Sequence, residues 1–406
     1  MAAKAMLKKA SRLVLSLILT VSLSGCWNRN ELNALAIVLA LGVDMVGDQY
    51  EVTVQYIDPS AASRSKTTDR APTIVLSENE KTIFEALRKL TSKTSRRLYV
   101  SHMRFIVIGE QIAKRGIYEP LDLLFRDHEV RPDFYVAVAK NCRVKDVIGF
   151  VSPTELIPGI DMYRSLKTSE KIWSPTSAAN VKDIMMKLSK DGVDPAITGI
   201  SLIGDLERGK LEDNVKRPIP YAEFKYEGIG AFHEDRLLGW MNEDESKAYT
   251  YLTNHIQSTV GRVRCPDGKG WFVTEVTNSK TKVTPVIREG EPHLKLKVEV
   301  EGNIGEMECA IDLMDPHEIG LLEKLAEERQ IDILNSGLKK AQQYGSDIFG
   351  FGEAFHRKYP KRWRSWRENW NEKFRSDLTY ELEVKYKLRR HGKINNPFGK
   401  DTTRKE

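Results

Sequence analysis

Cysteine is scarce: four residues in 406, Cys26, Cys142, Cys265 and Cys309. Three of them lie far apart in the body of the chain. A secreted disulfide scaffold would carry dense, evenly numbered cysteines, so that class is excluded. At most one bridge can form among the three, and buried free thiols are the expected state. Metal-binding spacings are also lacking. No Cys-x-x-Cys occurs, and the eight histidines (His102, His128, His233, His255, His293, His317, His356 and His391) include no pair four residues apart. Zinc chemistry is therefore not expected. The stretch Gly199 to Gly204 approaches a nucleophile elbow, but Ile203 stands where that turn needs glycine. Gly228-Ile-Gly230 has no third glycine and leads into a strand-like segment, so no phosphate cradle is expected. Carboxylates such as Asp44, Asp127, Asp161 and Asp205 could pair in space, which sequence alone does not decide. Beyond residue 25 there is no apolar run of about 18 residues, so no second membrane crossing is expected.

The start of the chain is different. Lys4, Lys8, Lys9 and Arg12 precede an uncharged stretch, Leu13 to Leu23, too short to span a bilayer comfortably. It ends in Leu23-Ser24-Gly25-Cys26, which resembles the lipobox of bacterial lipoproteins. The small residues would let the backbone enter a narrow peptidase site in extended form. On this reading residues 1–25 are a cleaved signal peptide, Leu23, Ser24 and Gly25 are recognised by the peptidase, and the Cys26 thiol receives a diacylglycerol; the alternatives are an ordinary secretory signal that carries a cysteine and an uncleaved N-terminal anchor. The leader holds four cations and no acid, so the formal net charge of +6 falls to +2 without it. That correction removes most of the case for nucleic-acid binding that a basic chain would otherwise invite.

The remainder reads as a mixed α/β protein of the α+β kind, in three units that each pack a sheet with helices. The expected boundaries are 26–143, 144–220 and 221–396, followed by a polar tail at 397–406. In the first unit, apolar Ala34 to Val43 and alternating Tyr50 to Ile57 predict strands joined by a turn at Gly47-Asp48. A polar loop is expected at 60–71. Helical faces at Glu80 to Lys89 and Tyr118 to Arg126 alternate with strands at Phe105 to Ile108 and Phe134 to Ala139. The second unit offers a helix at Ala178 to Leu188 and a strand at Ala196 to Ile203. It ends in a charged linker or exposed loop at Lys210 to Pro220. The third opens with a hairpin, Gly228 to Phe232 and Arg236 to Trp240, then a helix at Asn242 to Leu252 with acids in its first turn. Strands are expected at Val260 to Arg264, Trp271 to Val276 and Leu294 to Val300. A long amphipathic helix from about Pro316 through Gln343, a helix at Lys361 to Phe374 and a strand at Leu378 to Leu388 complete it. Trp363, Trp366 and Trp370 fall on one face of the Lys361 to Phe374 helix with cations on the others, the pattern of a packed helix with a solvated face.

Several segments then resemble the Ger(x)C spore-germination lipoproteins, in order along nearly the whole chain. They are Gly25 to Leu32 running into Ala36-Ile37-Val38 and Leu41-Gly42-Val43-Asp44, then Arg97 to His102, and Phe125 to Asp127 with Arg131 to Phe134. Phe349-Gly350-Phe351-Gly352-Glu353 with Tyr359-Pro360 completes the set. Asn28 departs from the acidic residue expected there. The resemblance implies a non-catalytic C subunit of a nutrient germinant receptor and three mixed α/β domains. It implies integral membrane A and B subunits as partners, and a lipid-anchored position on the extracytoplasmic side of the inner spore membrane. It carries over only one site residue, Cys26, and no cofactor beyond the lipid. The competing reading is a substrate-binding lipoprotein of a transporter, which would form two similar lobes around a hinge. A cell-wall hydrolase is a third class, and it lacks paired-acid or metal signatures.

Overall fold

The computed structural model describes residues 34–57 and 71–390, with a few residues of the leader. Leu23, Ser24, Gly25 and Cys26, the loop expected at 60–71 apart from Ala71, and the polar tail lie outside the described residues.

Strands β1 (Leu35–Val46), β2 (Gln49–Ile57), β3 (Thr73–Glu80), β4 (Arg97–Tyr99), β5 (Phe105–Gly109) and β6 (Tyr135–Ala139) belong to one sheet. So do β7 (Ala196–Gly204), β8 (Ala222–His233) and β9 (Arg236–Met241). The order is β3-β2-β1-β5-β6-β7-β8-β9, with β4 beside the start of β1. The centre is parallel, while β2, β3, β8 and β9 run antiparallel at the flanks. The central strands read as unbroken apolar runs because helices cover both faces. Leu41, Val43, Ile106, Ile108, Val136 and Val138 point to one core, under helices Ile83–Leu90, Tyr118–Arg126 and Val181–Leu188. Ala40, Phe105, Val107, Ala137 and Ala139 point to the other, under helices Val144–Gly149 and Pro158–Ile172. Gly42 is forced by this second layer: a Cβ there would lie 2.3 Å from a Val144 methyl. Asp44 then accepts the Val144 N–H at 3.1 Å at the start of the covering helix.

The second sheet is β10 (Thr259–Arg264), β11 (Trp271–Arg288), β12 (Glu291–Met307) and β13 (Thr379–Arg390), in that order. The β11–β12 hairpin turns at Glu289 and Gly290, both with positive φ. β12 and β13 are parallel, so the chain between them must cross over, and it does so through helices. The longest is Pro316–Tyr344, capped by the Asp315 carboxylate and closed by left-handed Gly345. Its buried stripe (Leu322, Ala326, Ile333, Leu334, Leu338) packs into the same core as Leu294, Leu296 and Val298 of β12.

The α+β character and most elements stand where the sequence placed them. The described strands form two sheets, however, and the segment 144–220 has no sheet of its own. β7 pairs with β6 before it and β8 after it, and the hairpin of β8 and β9 joins this first sheet. The charged stretch at 210–220 is strapped down, because fully buried Asn214 bonds both Val151 and Ala222 through its side chain. The helix expected at Lys361 to Phe374 is broken into Pro360–Trp366, a single turn Arg367–Asn369, and Trp370–Ser376. Trp363, Trp366 and Trp370 are all core residues, as their spacing implied.

The cysteine expectation is corrected. Cys265 and Cys309 form a disulfide across 44 residues, and only Cys142 is a free thiol among the described residues. Sheet register brings them together: Arg264, ending β10, and Met307, ending β12, flank Trp271 and Phe272 at the start of β11. A bridge closing such a loop limits the unfolded chain. Replacing both cysteines with serine is expected to cost about 2–4 kcal/mol, read from chemical denaturation. Unchanged stability would mean the bridge does not form.

Candidate functional site

Two places gather the unusual residues. The first is a polar junction where the end of the first sheet meets the C-terminal helices. Asp194 precedes β7, and Asp347 sits in the loop between Gly345 and helix Phe351–Lys358. The two residues exchange hydrogen bonds: Asp194 N–H donates to the Asp347 carbonyl, and Asp347 N–H donates to the Asp194 carboxylate at Oδ2, both at 2.9 Å. Asp194 also accepts from Glu234 N–H at 3.0 Å, in the β8–β9 turn, and from Asn371 Nδ2 at 3.0 Å. Asn371 reaches His233 Nδ1 and the Gly345 carbonyl, each at 2.8 Å. Asp347, with no exposed surface, accepts from Phe351 N–H (3.0 Å), Gly352 N–H (2.7 Å) and Trp370 Nε1–H (2.9 Å). Ser346 donates to the Phe232 carbonyl.

Burial, helped by the charge of Asp194, pushes the Asp347 carboxyl up to about 7 despite those three donors. The hydrogen bond to Asp194 raises the His233 imidazole. Close backbone approach fixes the glycines here. A Cβ on Gly352 would stand 2.6 Å from Gly192 Cα, and Gly192 and Gly350 both have positive φ. The Phe349 to Glu353 segment is thus explained: its glycines permit contact, and its two phenylalanines stack at 5.1 Å between ring centres. Outside the hub the junction opens into a cleft of about 670 Å³ lined by Lys187, Lys190, Asp191, His233 and Arg367. Nothing in it pairs a nucleophile with a base. What the arrangement does is lock two sheets together through buried, directional bonds.

The second place is a groove of about 410 Å³ on the first sheet's helical layer, lined by Phe84, Leu87, Arg88, Arg97, Leu123 and Arg126 among others. Here the Arg97 to His102 and Phe125 to Phe134 segments, separate in sequence, meet. Arg97 pairs with Glu129, Ser101 donates to the Glu129 carbonyl, and Arg104 pairs with Asp133 at 3.0 Å.

Among the described residues no cluster of His, Cys, Asp and Glu could hold a metal. No described helix is long and apolar enough to cross a membrane. The four candidate carboxylates do not pair with one another. Asp161 accepts from Ser152, Thr154 and Ser165, Asp44 and Asp205 cap helix starts, and Asp127 accepts from the Glu129 N–H. Ser201 lies on β7 and bonds Glu227 and the Lys225 carbonyl. Sequence reasoning missed Asp194 and Asp347. The one available signal was an aspartate three residues ahead of Gly350, a helix-start pattern that the aromatic run obscured.

This combination, a helix-covered mixed sheet bonded to a second sheet with a crossover helix, is matched by two family models that between them span most of the chain. Residues 28–202 match the "Spore germination protein N-terminal domain", and residues 227–392 match "Spore germination B3/GerAC like, C-terminal". The chain belongs to this spore germination family. Spore germination protein KC of Bacillus subtilis (strain 168) is 31% identical over 400 residues, covering 97% of this chain and 98% of that protein. Spore germination protein B3 of the same organism is 23% identical, covering 96% and 100%. The crystal structure of the GerBC protein shares the fold, with a TM-score of 0.52 at 20% identity, over 86% of this chain and 96% of that one.

Proposed function

We propose that the chain is the C subunit of a spore nutrient germinant receptor. It is tethered by a diacylglycerol on Cys26 to the extracytoplasmic face of the inner spore membrane, where it meets integral membrane A and B subunits. Its role is non-catalytic: a rigid body that couples its partners. End-to-end similarity to spore germination protein KC carries this reading. The leader ending in Leu-Ser-Gly-Cys supports the tether, and the bonded junction supports rigidity. One acyl chain binds a membrane only reversibly, since each buried methylene contributes about 0.8 kcal/mol. Two chains hold the protein, and partners in the same plane then meet it at high effective concentration. The transporter reading loses support, because one large and one small sheet are not two similar lobes. Deleting the gene in a spore former tests the proposal. Loss of the response to particular nutrients is expected, and unchanged germination to every nutrient would contradict it.

A further inference from the structure

We infer that the groove end of the first sheet is a membrane-facing surface that binds anionic phospholipid headgroups. The inference takes its direction from the tethered-subunit reading above. Leu35, the first residue of β1, pairs with Arg97 in β4, and Leu98 of the same strand lines the groove. Only nine residue steps lead from Cys26 to Leu35. Fully extended they reach about 30 Å, so a lipid on Cys26 keeps this end of the sheet close to the bilayer. β1, β5 and β6 are parallel, which gathers their starts at this same end, together with the last turn of helix Tyr118–Arg126.

The chemistry of that end fits an anionic, partly apolar surface. Residues 91–104 contain Lys93, Arg96, Arg97 and Arg104 and no acid. Phe125, in the last turn of helix Tyr118–Arg126, is 48% exposed although the other face of that helix is core. Arg126, the next residue, lines the groove and pairs with Asp122 at 2.6 Å, so an apolar ring and a cation stand together. Glu78, Glu129 and Asp133 neutralise part of the charge of Lys93, Arg97 and Arg104. Aromatic rings with neighbouring arginines suit the headgroup boundary, where the rings enter the acyl edge and the cations stay with phosphate.

The test leaves out the tether, so its failure is separate from failure of the anchor. The full mature chain carrying Cys26→Ala and Cys142→Ser is mixed with phosphatidylcholine vesicles, with and without about 30% phosphatidylglycerol. Binding is expected only with phosphatidylglycerol and is expected to disappear at high salt. Arg96→Glu with Arg97→Glu should weaken it at least tenfold, since one cation near an anionic surface contributes about fivefold. A nitroxide on Phe125→Cys should move from water to headgroup depth. One on Val46→Cys, at the opposite end of β1, should stay in water. Binding that ignores phosphatidylglycerol, or equal water exposure at the two labels, overturns the proposal. So does burial of the Phe125→Cys label only when membrane protein subunits are added, because the surface would then be a protein interface. Labelling of wild-type Cys26 by radioactive palmitate reports the anchor separately.

Discussion

Spores whose only copy of the protein carries Cys26→Ala are expected to lose the chain from their membranes and to lose the nutrient response it supports. The expected effect is nearly complete. No described helix is long and apolar enough to cross the membrane, so the lipid is the main hold on it. A two-chain anchor buries tens of methylenes at about 0.8 kcal/mol each, far more than any surface contact regains. The effective concentration that places the protein beside its partners vanishes with it. Membrane fractionation followed by immunoblotting reads the first effect, and loss of optical density after nutrient addition reads the second. A Cys26→Ala protein that still fractionates with membranes and still supports germination would remove the tether from the account.

The second large effect concerns the junction. Asp347→Ala leaves the Phe351 and Gly352 N–H groups and the Trp370 indole N–H buried without an acceptor. At about 1–3 kcal/mol for each orphaned donor, the loss is about 5 kcal/mol, or on the order of 10 °C in Tm. Asp347→Asn keeps the volume and separates the charge from the shape. A carboxyl held at about 7, against 3.8 for a free one, binds its proton more tightly in the folded state. Its contribution is therefore present at low pH and is lost as pH rises from about 4 to about 7. The raised His233 acts in the same direction, stabilising at low pH and fading as pH rises. The measurement is the pH dependence of Tm in wild type minus that in Asp347→Asn. The difference should fall with rising pH across this window. An unchanged pH dependence in the variant would show that Asp347 does not titrate there.

Much of the fold was legible because local pattern and burial agree. β1 announces itself as an apolar run closed by Asp44, the long helix by its stripe from about Pro316, and β8–β9 by a hairpin around Glu234. What was hidden depends on pairings between distant segments. Nothing near β7 says that it lies between β6 and β8, so the segment 144–220 reads as a unit in its own right. The disulfide depends on two strands flanking a third, information that cysteine spacing does not hold. The junction was hidden for the same reason: Asp194 and Asp347 are 153 residues apart and look like ordinary loop aspartates. By contrast the Arg97 to His102, Phe125 to Phe134 and Phe349 to Glu353 segments stood out together, through their order along the chain. Their meaning as a groove and a hydrogen-bonded junction came only with the fold.

The most direct measurement of the central claim is purification of the affinity-tagged, lipidated protein from spore membranes in mild detergent, with the co-purifying proteins identified by mass spectrometry. The account predicts two integral membrane subunits in constant ratio to this chain, absent when Cys26→Ala is purified in the same way. Recovery of the chain alone, or with a transporter permease, would contradict it.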